Sequence, residues 1–214
     1  TIGIEKELGR KYKEEFIKIL SKNDYKLSDI YEDAPTKLSN QVFHYIDESE
    51  IKINNKHYLA LSIVSIFSEE IKKSNKEVLL KLKDTLATDY KNGLNEKQRK
   101  KLFHYCEDTL YIKEKYKEKL RDIDFESFLI FIDSNTSNMD KDIYEEKYYQ
   151  IFSKIFSIVL PRFKNYNNYL YPEENSKISK EKLKEKLLSI KGLPKFNIEI
   201  IKKDEILSSI TDYM

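Results

Sequence analysis

Residues that break regular secondary structure are rare in this chain. Only four glycines and four prolines occur among 214 residues, while 36% of the residues are charged and 40% are hydrophobic. A turn-rich β-sandwich uses more glycine and proline, whereas a charge-rich sequence with few breakers is typical of helices. The composition predicts an all-α or nearly all-α fold, a bundle of about seven to nine helices with at most a minor β element near the C-terminus.

The length suits one main domain, because a chain of this size buries roughly 70% of its unfolded surface. We expect a helical domain over residues 1–192 and a C-terminal strand-helix appendage over residues 193–214 packed on it. The single cysteine, Cys106, cannot form an intramolecular disulfide, and the first residues show no apolar core of a secretory signal. No apolar run approaches the ~20 residues that cross a bilayer. These features predict a cytoplasmic protein with no membrane partner.

Apolar residues recur at helical spacing along most of the chain. The clearest local signal is Ser74 with Glu77, which matches a capping box at a helix start. Ser179 is a further N-cap, and Gly192 is a stop signal after it. The predicted helices cover residues 2–21, 36–47, 56–72, 74–93, 95–120, 122–133, 141–160 and 179–191.

Two stretches allow a β interpretation. Residues 49–59 could form a hairpin that turns at Asn54-Asn55, because β-branched and polar residues alternate before it. The helix over residues 56–72 is preferred, since its apolar residues form a wide helical face. FNIEII, residues 196–201, is the one convincing strand.

The triplet Phe-His-Tyr occurs twice, around His44 and His104. On helices, both imidazoles would point away from the apolar stripe, and each has an acid four residues later, Glu48 and Asp108. If the two helices faced each other, these four side chains could bind a divalent metal. Nothing in the sequence brings them together, so no metal site and no cofactor is predicted. Cys106 is expected on the buried stripe.

Arg99 and His104 are separated by four residues. This spacing resembles the Arg-x4-His motif of HEPN-family ribonucleases, helical proteins whose dimers bring paired Arg and His side chains to an RNA phosphodiester. The resemblance implies that Arg99 holds the scissile phosphate while His104 moves a proton, with RNA favoured over DNA. The basic residues Lys97, Lys100 and Lys101 fit this interpretation.

Basic residues also precede a group of tyrosines in PRFKNYNNYLYP, residues 161–172. Cations beside exposed rings are what single-stranded nucleic acid requires, although tyrosine rings pack equally well against a core. The candidate nucleic-acid-binding residues are Lys97, Lys100, Lys101, Arg162, Lys164, Tyr166 and Tyr169.

Charge is unevenly distributed along the chain. Residues 71–121 hold 15 Lys and Arg against 8 Asp and Glu, whereas residues 122–146 hold 1 against 8. Four glycines in total disfavour nucleotide-binding loops built on glycine. The leading hypothesis is a cytoplasmic, helical, non-catalytic regulatory protein that binds a protein or nucleic acid through surface charge. The alternative is a HEPN-like, metal-independent ribonuclease acting as a homodimer, so whether the chain is an enzyme stays open.

Overall fold

A five-stranded mixed sheet lies at the centre of the computed structural model, which describes residues 40–53, 56–89, 94–96, 103–133, 141–175 and 178–214. The strand order is β3-β2-β1-β4-β5. β1 pairs antiparallel with β2, and β2 pairs antiparallel with β3, whereas β4 is parallel to β1 and to β5. The strands are β1 (Gln41–Ile53), β2 (Lys56–Phe67), β3 (Glu126–Asp133), β4 (Asn167–Pro172) and β5 (Phe196–Ile198).

Helices cover both faces of the sheet in the part of the chain that the structure describes. Single 3₁₀ turns, Leu120–Asp122 and Leu160–Phe163, follow the second and third helices. None of the described helices is long and apolar enough to cross a bilayer. The helices are α1 (Glu69–Ala87), α2 (Leu110–Lys119), α3 (Lys141–Val159), α4 (Lys180–Ser189) and α5 (Ser209–Asp212).

The hydrophobic core is divided by the sheet, because successive residues of a strand point to opposite faces. Val42 and Ile46 of β1 belong to the cluster formed with α3 and α4. Phe43 and Tyr45 belong to the cluster formed with α1, α2 and the C-terminal segment around α5. β2 is buried on both faces, so its sequence LALSIVSIF is almost continuously apolar.

The all-α prediction is wrong, as is the helical bundle that it implied. The helices predicted over residues 36–47, 56–72 and 122–133 coincide with the first part of β1, all of β2 and all of β3. Residues four apart share one face of a helix, but they also share one face of a strand, because four is a multiple of the two-residue strand period. The spacing of Val42 and Ile46 therefore could not distinguish the two structures.

The hairpin interpretation of residues 49–59 is correct for the described residues of that stretch. Ile53 pairs with Lys56 across β1 and β2. Asn54 and Asn55 themselves lie outside the described residues, as does the helix predicted over residues 2–21. A doubly buried strand such as β2 has no polar alternation, which is why its apolar residues were interpreted as a wide helical face.

Local signals predicted α3 and α4 correctly, and the strand predicted over residues 196–201 is present as β5 only over residues 196–198. Ser179 is the N-cap of α4, where its hydroxyl accepts from the amide of Lys182 at 3.4 Å. The capping box at Ser74 is wrong, since Ser74 lies inside α1 and the N-cap is Ser68. The helix predicted over residues 95–120 is wrong for residues 103–109, which are not helical. The domain boundary at residue 192 stays a prediction.

Candidate functional site

β1 and β4 lie side by side and run in the same direction. Their register pairs Tyr45 with Tyr171 and Ile46 with Pro172. The next residues, Asp47 and Glu173, therefore emerge on the same face of the sheet, at the carboxyl end of β4. The amide of Glu173 donates to the carbonyl of Ile46 at 2.9 Å, so the parallel pairing continues up to these two acids.

The C-terminal segment brings a third carboxylate, Asp212 of α5, to the same face. Ser62 of β2, which pairs with Asp47, donates to the carbonyl of Thr211 at 3.3 Å and thereby fixes α5 over the strand. Ser208 of the same segment donates its hydroxyl to the carbonyl of Glu205 at 2.7 Å. The carboxyl group of Asp212 interacts electrostatically with that of Asp47, since the charge of Asp212 raises the pKa of Asp47.

Burial and mutual repulsion act together on these carboxyl groups. Burial, followed by the charges of Glu173, Glu48 and Asp212, raises the pKa of Asp47 well above its usual range. Burial also raises the pKa of Asp212, and burial followed by the charge of Asp212 raises the pKa of Glu173. The site therefore holds more negative charge than its surroundings neutralise. We call Asp47, Glu173 and Asp212 the carboxylate cluster.

Two basic side chains border the carboxylate cluster. Lys203 Nζ lies 3.7 Å from Glu173 Oε1, but its side chain is 67% exposed, so water screens much of this interaction. His104 Nδ1 lies 3.6 Å from Asp212 Oδ2, and this imidazole carries a charge only when it is protonated.

The loop that carries His104, residues 103–109, is tied to the core and to the C-terminal segment. Phe103 has a positive φ of 74°, which is strained for a bulky residue, and its ring packs edge-on against Tyr116 with centroids 4.7 Å apart. The amide of Asp108 donates to the carbonyl of His104 at 2.9 Å, and Tyr213 donates its hydroxyl to the Asp108 carboxylate. His104 is thus held at the cluster by packing on both sides.

Glu48 follows Asp47 and points to the opposite face of the sheet. Asn175 donates its side-chain amide to Glu48 Oε1. Burial raises the pKa of Glu48 to about 7. Glu48 therefore borders the site at the sheet edge, on the side of α3, and is not a member of the carboxylate cluster.

Among the described residues, no group of three or more His, Cys, Asp or Glu side chains is placed to hold a metal ion. Catalytic Mg²⁺ sites commonly use one or two carboxylates, with water and substrate phosphate as the other ligands. Only a site of that open kind, with two carboxylates of the cluster such as Asp47 and Asp212, is compatible with this arrangement.

The sequence-predicted site residues are distributed over different parts of the molecule. His104 is at the carboxylate cluster, while Arg99, Lys97, Lys100 and Lys101 lie outside the described residues. The guanidinium of Arg162 lies 5.1 Å from the centroid of the Phe128 ring, and Lys164 is exposed. Tyr166 packs edge-on against Phe67, and Tyr169 stacks on Phe43 at 5.2 Å. Nucleic-acid binding by these residues stays a prediction.

The paired histidine triplets do not meet. His44 is fully buried in β1, with Nδ1 2.8 Å from Ser65 Oγ and Nε2 3.0 Å from Asn168 Oδ1, whereas His104 contacts Asp212. The prediction that both imidazoles face water is wrong for His44. Cys106 is exposed, so its predicted burial is also wrong.

Sequence reasoning missed all three members of the carboxylate cluster. The helix predicted over residues 36–47 ends at Asp47, and only Glu48 is considered there as a partner of His44. An acidic residue that interrupts an apolar stretch such as VFHYI is a usable signal once that stretch is recognised as a strand. Glu173 and Asp212 carry no comparable local signal, because only the register of β4 and the placement of α5 bring them to Asp47.

No family model, curated protein or solved structure matches the chain. The fold and the site together define a class: an α/β protein with a mixed sheet and a cluster of carboxylates beside the carboxyl end of β4.

Proposed function

We propose that the protein is a divalent-cation-dependent hydrolase that cleaves phosphodiester bonds, with Asp47 and Asp212 as its cation-binding residues and Glu173 beside them. The convergence of these carboxylates on one face, beside the carboxyl end of β4, carries this proposal. In open α/β sheets, ligands bind at the carboxyl ends of strands where the chain connections diverge. Here β1 leads into β2 on one side and pairs with β4 on the other.

The need for a cation follows from electrostatics. Half-buried carboxylates that repel one another must share a proton or bind a positive ion. The raised pKa values of Asp47 and Asp212 favour the form that holds a proton when no cation is bound. A hard cation such as Mg²⁺ or Mn²⁺ prefers these oxygen ligands and would replace that proton near neutral pH.

Phosphodiesters fit such a site, because Mg²⁺ held by few carboxylates completes its ligand shell with phosphate oxygens and water. The sequence that leads into His104 contains Lys97, Arg99, Lys100 and Lys101, which suits a polyanionic substrate. A bound cation would polarise the phosphate and lower the pKa of a bound water. His104 would move a proton to or from the reacting oxygens. We place this activity in the cytoplasm, where the exposed thiol of Cys106 stays reduced.

The first test measures cleavage of labelled RNA and DNA by the purified full chain, with Mg²⁺, with Mn²⁺ and with excess chelator. We expect cleavage only with a cation, and a loss of at least about 100-fold in Asp47→Asn and Asp212→Asn. Asp204→Asn is the matched control, since Asp204 is exposed and lies in the same C-terminal region.

Thermal unfolding provides an independent readout of the same site. Mg²⁺ should raise the Tm of the wild type, and more so at higher pH, because the carboxylates must be deprotonated to bind it. Asp212→Asn should lose this response. Chelator-resistant cleavage that depends on His104 would instead favour a metal-independent ribonuclease, and an unchanged cation response in both Asn variants would contradict the proposed site.

A further inference from the structure

An exposed aromatic ring, Tyr105, lies next to the carboxylate cluster. It follows His104 directly, and its ring packs edge-on against Tyr213 with centroids 5.3 Å apart. Tyr213 in turn follows Asp212. Tyr105 therefore directly follows a residue that contacts Asp212 and itself contacts the residue after Asp212, while 41% of its surface stays exposed.

Two lysines of α2 lie over the Tyr105 ring. Lys113 Nζ is 4.2 Å and Lys117 Nζ is 5.8 Å from the ring centroid. They are four residues apart, so they extend from the same face of α2. Contacts of this kind are weak when solvent reaches them, so a phosphate group can draw either ammonium group away from the ring.

We propose that Tyr105, Lys113 and Lys117 form a subsite for single-stranded nucleic acid, in which one unpaired base stacks on Tyr105 and neighbouring phosphates contact the lysines. The assignment of this strand as the substrate rests on the proposed function, because it places the strand against the carboxylate cluster. An aromatic ring offers its face to any unstacked base, whereas the bases of a duplex are already stacked on one another.

The arrangement also explains the exposure of Tyr105. Tyr116 in the same region covers its ring completely, at 0% exposure. Tyr105 instead contacts Tyr213 edge-on, with the ammonium groups of two lysines near its ring. An exposed ring beside two cations supplies the stacking face and the positive charge that a single strand requires.

The test measures fluorescence anisotropy of labelled oligonucleotides bound to the full chain in excess chelator, which keeps the strands intact; a gel verifies this. Single-stranded RNA and DNA are compared with duplexes of the same sequence. The difference in affinity between RNA and DNA shows whether the 2′-hydroxyl of the sugar contributes to binding. We expect single strands to bind more tightly than duplexes. Tyr105→Leu should weaken that binding roughly 5- to 150-fold, and Tyr105→Trp should retain it.

The lysines are tested separately, because Tyr105→Leu also alters packing against Tyr213. Lys113→Gln with Lys117→Gln should weaken binding and lower the salt dependence of log affinity by about 1.4, the value for two phosphate contacts on a single strand. Lys115→Gln is the matched control on α2, since Lys115 pairs with Glu118 at 2.8 Å.

Equal affinity for duplex and single strand, or unchanged affinity in both Tyr105→Leu and the double lysine variant, would overturn the subsite. Cation-dependent cleavage with Tyr105-independent binding would overturn the subsite alone. Binding that depends on Tyr105 without any cation-dependent cleavage would support the subsite and overturn the proposed function.

Discussion

Two ionisable side chains of β1, His44 and Asp47, are removed from water in different ways. His44 is neutral and finds a partner for each ring nitrogen in Ser65 and Asn168. Asp47 faces other acids: its Oδ1 accepts from the amide of Glu48 at 2.9 Å, but burial and the charges of Glu173, Glu48 and Asp212 raise the pKa of its carboxyl group. A buried polar group with a partner for each polar atom is structural, whereas a buried acid placed among other acids points to function.

The buried imidazole predicts a pH dependence of folding stability. Burial lowers the pKa of His44 from 6.5 to about 4, although the hydrogen bond to Asn168 opposes this shift. Between these values the unfolded chain binds more protons than the folded chain, so stability falls as the pH falls, by up to about 3 kcal/mol. Urea unfolding across this window should show the slope in the wild type.

His44→Gln serves as the control for that slope. The substitution removes the titrating imidazole. The variant should therefore be less stable than the wild type near neutral pH, and its stability should depend less on pH below neutrality. The carboxylate cluster contributes the opposite slope to both proteins, because its raised pKa values make the folded chain bind more protons. Parallel pH profiles for the two proteins would show that His44 is not buried in its neutral form.

At the scale of elements, α1 shows how tertiary structure selects a helix start. Ser68 follows β2 directly, is fully buried, and has a positive φ of 70°. Its amide donates to the carbonyl of Gln41 at 3.1 Å, and its hydroxyl accepts from the amide of Ile71 at 3.3 Å. Ser68 thus connects the end of β2 and the start of α1 to β1. Ser74 lies inside α1 and makes no such connection at the helix start.

Substitution of Ser68 and of Ser74 by alanine should therefore have opposite effects on the free energy of unfolding. Ser68→Ala should lower the free energy of unfolding by about 1 kcal/mol, because the amide of Ile71 loses its cap. Ser74→Ala should raise it by a few tenths of a kcal/mol, because alanine has the higher propensity inside a helix. Urea denaturation of both variants measures the difference. A larger loss of stability in Ser74→Ala than in Ser68→Ala would indicate that α1 begins at Ser74, as the capping box predicts.

For the whole molecule, the C-terminal segment has two roles. Leu207, Ile210 and Tyr213 complete the core on the α1 and α2 face, and Asp212 from the same short stretch completes the carboxylate cluster. The last residues of the described chain therefore couple stability to the site. Any binding of a cation there should also stabilise the folded chain.

Removal of residues 209–214 tests this coupling. The loss of the buried side chains of Ile210 and Tyr213 should cost roughly 3–6 kcal/mol. The truncated chain should also lose the Mg²⁺-dependent rise in Tm, since Asp212 is gone. Removal of Met214 alone is the control and should leave that rise intact. A truncated chain that keeps the response would show that Asp212 does not bind the cation.

The sequence alone determined the elements whose signals are local. α4 begins at Ser179 and Gly192 adopts a positive φ of 79° after it, while α3 combines a helical period with a proline that follows its last turn. Capping, periodicity and turn residues act within a few positions, so they can be interpreted without knowing the fold.

Only the tertiary structure decided β1, β2, β3 and the carboxylate cluster. A spacing of four residues satisfies helix and strand alike, so pairing between distant segments made the choice. Asp47, Glu173 and Asp212 are far apart in the sequence and meet through the parallel register of β1 with β4 and the hydrogen bond from Ser62 to Thr211. The chemistry of the site depends on contacts that no local pattern encodes.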